Sequence, residues 1–291
     1  MRSETIPEPG ISYAPVRYGS SRLVFRGPRR ALDGRHVAFV GGSDTFGRGV
    51  DDPFPALVED ALGEACLNLG QVNASIDVAM NDPVVLEACR DAALTVVEVT
   101  GAGNMSNRFY QVHPRRNDRL TRVSTVMQAV FPDVDFSEFC FTRHMLGRVL
   151  QAAPDRFPIL REELQAAWAA RMRSFLDGVG GNVVLLWLSP HLPSDAPWEG
   201  RPDPLGRDPL FVTRRMVDAL RPRVRGVVMV QPPGRGAPPE AGPGPIAAAG
   251  TLAARALGQA GHREVAAALS GMIRQVMPAA GPVLGLASGA A

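Results

Sequence analysis

The residues best suited to chemistry follow a short apolar run near the start of the chain. Residues 37–40 are apolar, and Gly41, Gly42 and Ser43 follow them directly. This pattern predicts a buried parallel strand that ends in a tight turn. Ligands of open α/β sheets bind beyond the carboxyl ends of the strands, so Ser43 is a candidate nucleophile. A serine at this position also fits the cap of the following helix.

Two further predicted strands end in small polar residues. Gly70 follows the apolar run 65–69, and Asn104 follows the run 95–100. In a flavodoxin-like strand order, the carboxyl ends of these three strands converge. The main-chain N–H groups of Ser43 and Gly70 and the side-chain amide of Asn104 would then point at the oxyanion formed when Ser43 attacks a carbonyl carbon. Together they predict a site for acyl transfer.

These three blocks resemble those of the SGNH (GDSL-like) hydrolase family, in which Gly-x-Ser, Gly and Gly-x-Asn follow the first three strands. In this chain they read Gly41-Gly42-Ser43, Gly70 and Ala102-Gly103-Asn104. The resemblance covers residues 37–104 and 182–275, and it implies a serine nucleophile, an oxyanion hole and a histidine base. The segment 101–118 also resembles an uncharacterised bacterial domain family of unknown function, which implies no activity.

The candidates for the base are two histidines. The Asp-x-x-His block of the SGNH family has no match near the C-terminus, and Asp33-Gly34-Arg35-His36 precedes the first predicted strand. His262 lies where the resemblance implies a base, in the first turn of a predicted helix, where the helix dipole disfavours its charged form. His191, after the fourth predicted strand, is the second candidate. His262 also fits a half-exposed helix residue, and His191 a loop residue bonded to the backbone.

A segment rich in arginine follows the third predicted strand, with five arginines in the fifteen residues 108–122. Guanidinium groups bind phosphate, sulfate and carboxylate in a bidentate manner. Pro114 and Asn117 mark a turn that would project the arginines between them over the site. The alternative is a solvated surface paired with Asp118, Asp133, Asp135 and Glu138. We predict as substrate-binding residues Arg108, His113, Arg115, Arg116, Arg143 and His191.

Composition excludes several kinds of chemistry. The 291 residues include no lysine, so Schiff-base chemistry, a phosphate-loop lysine and Ser-Lys catalysis are excluded. The net charge of +2 gives no indication of nucleic-acid binding. The first ten residues lack the apolar core of a signal peptide, and the apolar runs are too short to span a bilayer. We therefore expect a cytoplasmic protein with no metal, no cofactor and no membrane partner; its oligomeric state stays open.

The order of elements predicts the fold class. Five apolar runs, at 37–40, 65–69, 95–100, 183–188 and 227–230, alternate with helical segments at 53–62, 83–92, 159–176, 209–220 and near the C-terminus. Such alternation predicts an α/β fold of three αβα layers, with a five-stranded parallel sheet in a flavodoxin-like or SGNH-like arrangement. We expect an N-terminal segment, 1–36, that wraps the sheet or adds a strand. A single domain, 37–278, follows with an arginine-rich insertion at 105–158, and 279–291 forms a flexible tail.

Two functions follow from these observations. The first is an SGNH-like acyl-ester hydrolase or acyltransferase that uses Ser43, Gly70, Asn104 and His262 on a small anionic or carbohydrate-type ester. The second is a non-hydrolytic nucleotide- or coenzyme A-binding protein, or a transferase, on the same fold. A serine without a base is a poor nucleophile, which favours the second function, whereas the three strand-end blocks favour the first.

Overall fold

The computed structural model describes residues 11–196, 205–232 and 257–277. The strands in these ranges are β1 (His36–Val40), β2 (Ala65–Asn68), β3 (Leu94–Glu98), β4 (Tyr110–His113), β5 (Arg116–Val123), β6 (Val183–Leu188) and β7 (Gly226–Val230). The helices are α1 (Ser43–Phe46), α2 (Phe54–Leu62), α3 (Ile76–Met80), α4 (Pro83–Asp91), α5 (Thr125–Val130), α6 (Thr142–Ala152), α7 (Phe157–Val179), α8 (Arg214–Asp218) and α9 (Gln259–Val276).

The predicted fold class is confirmed. Strands β1, β2, β3, β6 and β7 form a five-stranded parallel sheet in the order β2-β1-β3-β6-β7. Helices α2 and α9 cover one face, and α3, α4 and α7 contribute to the core on the other. All five residues of β1 are buried, because side chains that alternate along a central strand meet helices on both faces. The order brings the carboxyl ends of β2, β1 and β3 side by side.

The described part of the N-terminal segment, residues 11–35, packs against the core and adds no strand to the parallel sheet. Val16 and Phe25 form an isolated antiparallel bridge, and Tyr18 and Phe25 are buried. Arg26 is also buried, and its guanidinium donates to the carbonyl oxygens of Gly47, Val50 and Asp51. Five donors on one planar group let arginine satisfy several carbonyls at once. Through Arg26, the N-terminal segment therefore holds the loop after α1 in position.

The predicted helix 209–220 is wrong in its first half. Helix α8 begins at Arg214, and the hydroxyl of Thr213 caps it by accepting from the N–H of Met216. Residues 205–212 form a loop across the end of β3 instead, where the N–H of Ala102 donates to the carbonyl of Leu210 over 2.8 Å. Gly101 permits this approach, because a Cβ there would lie 2.6 Å from the backbone nitrogen of Leu210.

The insertion after β3 contains a hairpin, β4–β5, that the sequence pattern does not predict. Its two-residue turn is formed by Pro114 and Arg115, so Asn117 lies on β5 rather than in the turn. Asn117 is 1% exposed, and its Oδ1 accepts from the N–H and the hydroxyl of Ser75 at 2.9 and 2.7 Å. Its Nδ2 donates to the carbonyl of His113. A single buried carboxamide thus docks the hairpin on the loop before α3.

Candidate functional site

Ser43 is the first residue of α1, directly beyond the end of β1, and it is half-buried. Its hydroxyl makes two hydrogen bonds, both to Asn73. The Oγ atom donates to the Asn73 Oδ1 over 3.2 Å, and it accepts from the Asn73 main-chain N–H over 3.0 Å. Asn73 has a left-handed backbone with φ of 58°, a conformation that asparagine tolerates better than most residues. The loop after β2 therefore holds the hydroxyl from both sides.

Asn73 connects the serine to a carboxylate. Its Nδ2 donates to the Asp118 Oδ2 over 3.0 Å, and the Asp118 Oδ1 lies 3.6 Å from the Nε of Arg116. Both charged residues lie at the start of β5. The order of groups is thus hydroxyl, carboxamide, carboxylate. It parallels the order of a serine hydrolase triad, with a carboxamide where the imidazole would be.

Asn104 belongs to the same polar cluster. Its Oδ1 accepts from the Thr142 hydroxyl over 2.6 Å, and this hydroxyl also lies 3.4 Å from the carbonyl oxygen of Asp118. Because a hydroxyl has one proton, the shorter contact is the hydrogen bond. Within the described ranges no group accepts from the Asn104 Nδ2, so Thr142 orients this amide as a donor. The main-chain N–H of Ser43 likewise has no acceptor there.

Glu98, the last residue of β3, lies beneath the loop that carries Ser43. Its Oε2 accepts from the N–H of Gly42 over 2.9 Å, from the N–H of Thr45 over 3.2 Å and from the Thr45 hydroxyl over 2.5 Å. A Cβ at Gly41 would collide with this carboxylate and with the Thr45 hydroxyl. The glycine at 41 is thus required by the close approach of Glu98, and the two strand ends are joined.

Gly70 meets the loop after β1 but does not fit the predicted role of oxyanion donor. It is buried, and its N–H donates to the Oδ1 of Asn68 over 3.1 Å. A Cβ at Gly70 would lie 2.5 Å from the backbone nitrogen of Phe46. The residue is therefore a packing contact between the end of β2 and α1. Its amide is already bonded, so an oxyanion would have to displace Asn68.

The structure does not bring His262 into hydrogen-bond contact with Ser43. The imidazole is fully buried under α2, its Nδ1 accepts from the N–H of Phe54 over 3.1 Å, and its ring stacks on the Phe54 ring. The expectation of a half-exposed helix residue is thus wrong. A role for His262 as the base stays a prediction that the geometry does not support.

His191 and His113 are both half-buried and both bond to their own loops. The Nδ1 of His191 lies 3.0 Å from the carbonyl of Leu192, and the ring packs edge-on against Trp187. The Nδ1 of His113 accepts from the N–H of Arg115, inside the hairpin turn. These contacts correspond to the alternative of a backbone-bonded loop residue for His191. In the described ranges, no histidine bonds to the Ser43 hydroxyl.

The predicted arginines separate into three groups. Arg108 is exposed and pairs with Glu163 of α7, and Arg143 donates to the carbonyl of Gly206. Arg116 lies in the Ser43 cluster beside Asp118. Arg115 is exposed in the hairpin turn, three residues before Asp118. In the described ranges, Arg116 meets the Ser43 cluster through Asp118, and Arg115 precedes it in the turn.

The carbonyl beside Asn104 is fixed by a buried phenol. Tyr110, on β4, donates its hydroxyl to the carbonyl oxygen of Gly103 over 2.6 Å. Burial raises the pKa of Tyr110, so its hydroxyl stays a protonated donor across the physiological range. The hairpin therefore supports the cluster through Tyr110 as well as through Asp118.

Four residues of the site were not predicted from the sequence: Asn73, Glu98, Asp118 and Thr142. For two of them the sequence contains a feature that could have indicated a role. Glu98 interrupts the apolar run 94–99 at its end, and a buried-strand position is unusual for a carboxylate without a partner. Asn73 stands in a short polar loop, where asparagine adopts left-handed angles. Asp118 and Thr142 give no such signal, because their roles depend on how the insertion docks.

No metal site and no membrane span emerge from residues 11–196, 205–232 and 257–277. No group of three histidine, cysteine, aspartate or glutamate residues in these ranges could hold a metal ion. None of their helices has the length and apolar character needed to cross a bilayer.

The fold and the site define a three-layer α/β protein with a polar cluster at the carboxyl edge of its sheet. The family model of a domain of unknown function, DUF6473, matches residues 1–277. The chain therefore belongs to this family. No curated protein and no solved structure matches the chain.

Proposed function

We propose that the cluster around Ser43 binds a small ligand with carbonyl or hydroxyl oxygens, and that the protein acts there as a binding protein or transferase rather than as a serine hydrolase. The proposal depends on one observation: Asn73 lies between Ser43 and Asp118 and bonds to both side chains. A carboxamide cannot take the proton of a serine hydroxyl, because it is not basic in water. The hydroxyl is then a hydrogen-bonding group, not an activated nucleophile.

The ligand would meet donors at two points. The Asn104 Nδ2 is oriented by Thr142, and the main-chain N–H of Ser43 lies at the end of β1. Both suit a carbonyl or hydroxyl oxygen. Arg115, in the adjacent hairpin turn, would hold an anionic group on a more distant part of the ligand.

A fluorophosphonate probe tests the absence of an activated serine. The wild-type chain should not be labelled at Ser43 and should not hydrolyse p-nitrophenyl acetate faster than the Ser43→Ala variant. Stoichiometric labelling of wild-type Ser43 would overturn the proposal.

The same geometry provides a sharper experiment. Asn73→His places an imidazole between the Ser43 hydroxyl and the Asp118 carboxylate, the arrangement that activates a serine. This variant should gain labelling and ester hydrolysis, and the double variant Asn73→His with Ser43→Ala should lose both. Asn73→Gln is the matched control, because it changes the side chain without supplying a base.

Binding itself is tested by thermal shift with neutral sugars, short acyl esters and coenzyme A. A ligand that binds only the folded state stabilises it, and the stabilisation grows with the logarithm of the ligand concentration above Kd. Any shift should disappear in Asn104→Ala and persist in Asn107→Ala, whose side chain bonds within its own loop. A shift that both variants retain would place the ligand elsewhere and contradict the proposal.

The second candidate is an SGNH-like acyl-ester hydrolase or acyltransferase with Ser43 as nucleophile. The observation that favours it is the pair of donors, the Ser43 N–H and the Asn104 Nδ2, which suits an oxyanion. It requires a base to reach Ser43 when the substrate binds, since catalytic contacts often tighten only in the complex. Labelling of wild-type Ser43 would support this candidate.

A further inference from the structure

A cavity in the insertion lies at the opposite end of β5 from the Ser43 cluster. It has a volume of about 480 Å³, within the range of small-molecule sites, and it is lined by the end of β5, by α5 and by the residues that follow α5. We propose that this cavity binds a small zwitterion with an apolar body, the chemistry of a free apolar amino acid. The inference does not depend on the proposed function, because no residue of the Ser43 cluster lines the cavity.

The wall of the cavity is largely apolar. The half-buried side chains of Val123 and Val134 face it, and the buried Phe131 and Phe136 complete its lining. Phe131 belongs to the main hydrophobic core, where its ring centroid lies 6.4 Å from that of Phe109. Because the core fixes these residues, the cavity has its shape before a ligand binds. An apolar group that enters it removes apolar surface from water, which favours binding.

Two opposite charges line the same cavity without pairing. Arg122 is exposed, and its guanidinium bonds to no carboxylate in the part of the chain that the structure describes. The Asp135 Oδ1 accepts from the hydroxyl and the N–H of Ser137 at 2.7 and 2.9 Å. Its Oδ2 accepts no hydrogen bond from the described residues. The bonds from Ser137 lower the pKa of Asp135, so its carboxylate is ionised at neutral pH.

A neighbouring ion pair shows how the same loop satisfies a charge within the protein. Asp133 bonds to Arg156 over 2.6 Å, and Arg156 also donates to the carbonyl of Val130. Arg122 and Asp135 have no such protein partner and can pair with the charges of a ligand. A ligand carboxylate would meet Arg122, and a ligand ammonium group would meet Asp135. A ligand with one charge alone would leave the other residue as an unpaired like charge.

The test compares four probes in titrations at constant ionic strength: L-phenylalanine, 3-phenylpropanoate, 2-phenylethylamine and glycine. The amide resonances of Val134 and Phe136 report binding by NMR. Phenylalanine should bind about twofold to fivefold more tightly than either singly charged analogue, because an exposed ion pair contributes modestly. Glycine carries both charges but no apolar body, so it should leave the two resonances unchanged.

Two substitutions assign each charge to its residue. Arg122→Gln should weaken the binding of phenylalanine and 3-phenylpropanoate by about twofold to fivefold without weakening that of 2-phenylethylamine. Asp135→Asn keeps an acceptor for Ser137, and it should weaken phenylalanine and 2-phenylethylamine without weakening 3-phenylpropanoate. Asp133→Asn is the matched control, because Asp133 pairs with Arg156 and does not line the cavity. It should bind every probe as the wild type does.

The inference is overturned if either analogue binds as tightly as phenylalanine, or if phenylalanine leaves the resonances of Val134 and Phe136 unmoved. A charge variant that weakens all three aromatic probes alike would also contradict it, because a lost charge affects only the ligands that carry the opposite one. Ser43→Ala should change none of these titrations. Failure of this inference therefore leaves the proposed function intact.

Discussion

Ser43 and His262 are predicted as partners in one reaction, yet they lie in opposite surroundings. Ser43 is half-buried and bonded to Asn73, within a cluster of amide, hydroxyl and carboxylate groups. His262 is fully buried, and its ring stacks on Phe54 within the apolar layer between the sheet and helices α2 and α9. Both residues lie in the first turn of a helix, so the local sequence pattern does not distinguish their environments. The difference lies in the position of each helix: α1 follows the carboxyl end of β1, whereas α9 packs on α2 and the sheet.

The largest expected effect on stability concerns His262, the residue in apolar surroundings. His262→Ala removes a buried ring and a hydrogen bond, and it should lower the free energy of unfolding by about 3 kcal/mol. Urea denaturation measures the change. Glu264→Ala, at an exposed position of the same helix, should leave stability unchanged. A His262→Ala chain with wild-type stability but no ligand binding would show that His262 acts at the site after all.

The next effect concerns how the hairpin is held over the polar cluster. Asn117→Ala removes a buried carboxamide that makes three hydrogen bonds, and it should cost about 2 kcal/mol. Hydrogen exchange in β4 and β5 should accelerate more than exchange in β1. Gln111→Ala, exposed on β4, should do neither. If exchange in the hairpin stays at the wild-type rate, Asn117 does not dock it.

A smaller effect measures the coupling between Ser43 and Asn73. Each single substitution to alanine should cost about 1 kcal/mol, and the double-mutant cycle should show a coupling energy of about 0.5–1 kcal/mol. Denaturation midpoints of the four chains provide the values. A cycle between Ser43→Ala and Ser137→Ala should show no coupling, because the Ser137 hydroxyl bonds to Asp135. Zero coupling between 43 and 73 would contradict the network.

A further prediction concerns Asp77, a buried carboxylate outside the Ser43 cluster, and its contribution to the free energy of unfolding as the pH changes. Burial raises the pKa of Asp77 above its ordinary value, although the guanidinium of Arg171 opposes this shift. The folded state then binds more protons than the unfolded state between the two values, so this group lowers stability as pH rises through that window. The stability of Asp77→Asn relative to the wild type should therefore rise with pH through that window. A relative stability that falls with pH would show that the ion pair with Arg171 dominates instead.

The smallest effect is a difference in thiol reactivity between buried and exposed cysteines, and it needs no substitution. Cys66, on β2, and Cys89, on α4, are buried, and burial raises the pKa of the Cys89 thiol to about 12. Cys140, in the insertion, is exposed. Native alkylation at neutral pH should modify Cys140 alone, and all three should react in denaturant. Mass spectrometry distinguishes the outcomes, and early modification of Cys89 would mean that helix α4 opens away from the sheet.

The parallel sheet could be predicted from the sequence because its signal is local. The apolar runs at 183–188 and 227–230 are strand-length and bounded by glycine, proline and polar residues, and the structure places β6 and β7 there. The insertion gave no such signal. Strand β5 is half-exposed and carries three arginines and an aspartate, and its pairing with β4 contains register shifts. Its strand character comes from the pairing itself, not from an apolar period.

The sequence by itself determined the alternation of strands and helices, the three strand ends that meet, and the serine beyond the first of them. Burial pattern and turn residues decide these features within a few positions of each residue. Only the tertiary structure decided that Asn73 rather than a histidine holds Ser43, and that Glu98 occupies the loop amides. Hydrogen bonds between residues 30 to 56 positions apart create those pairs. No local sequence pattern specifies which distant side chain will bond to Ser43 or to the loop amides.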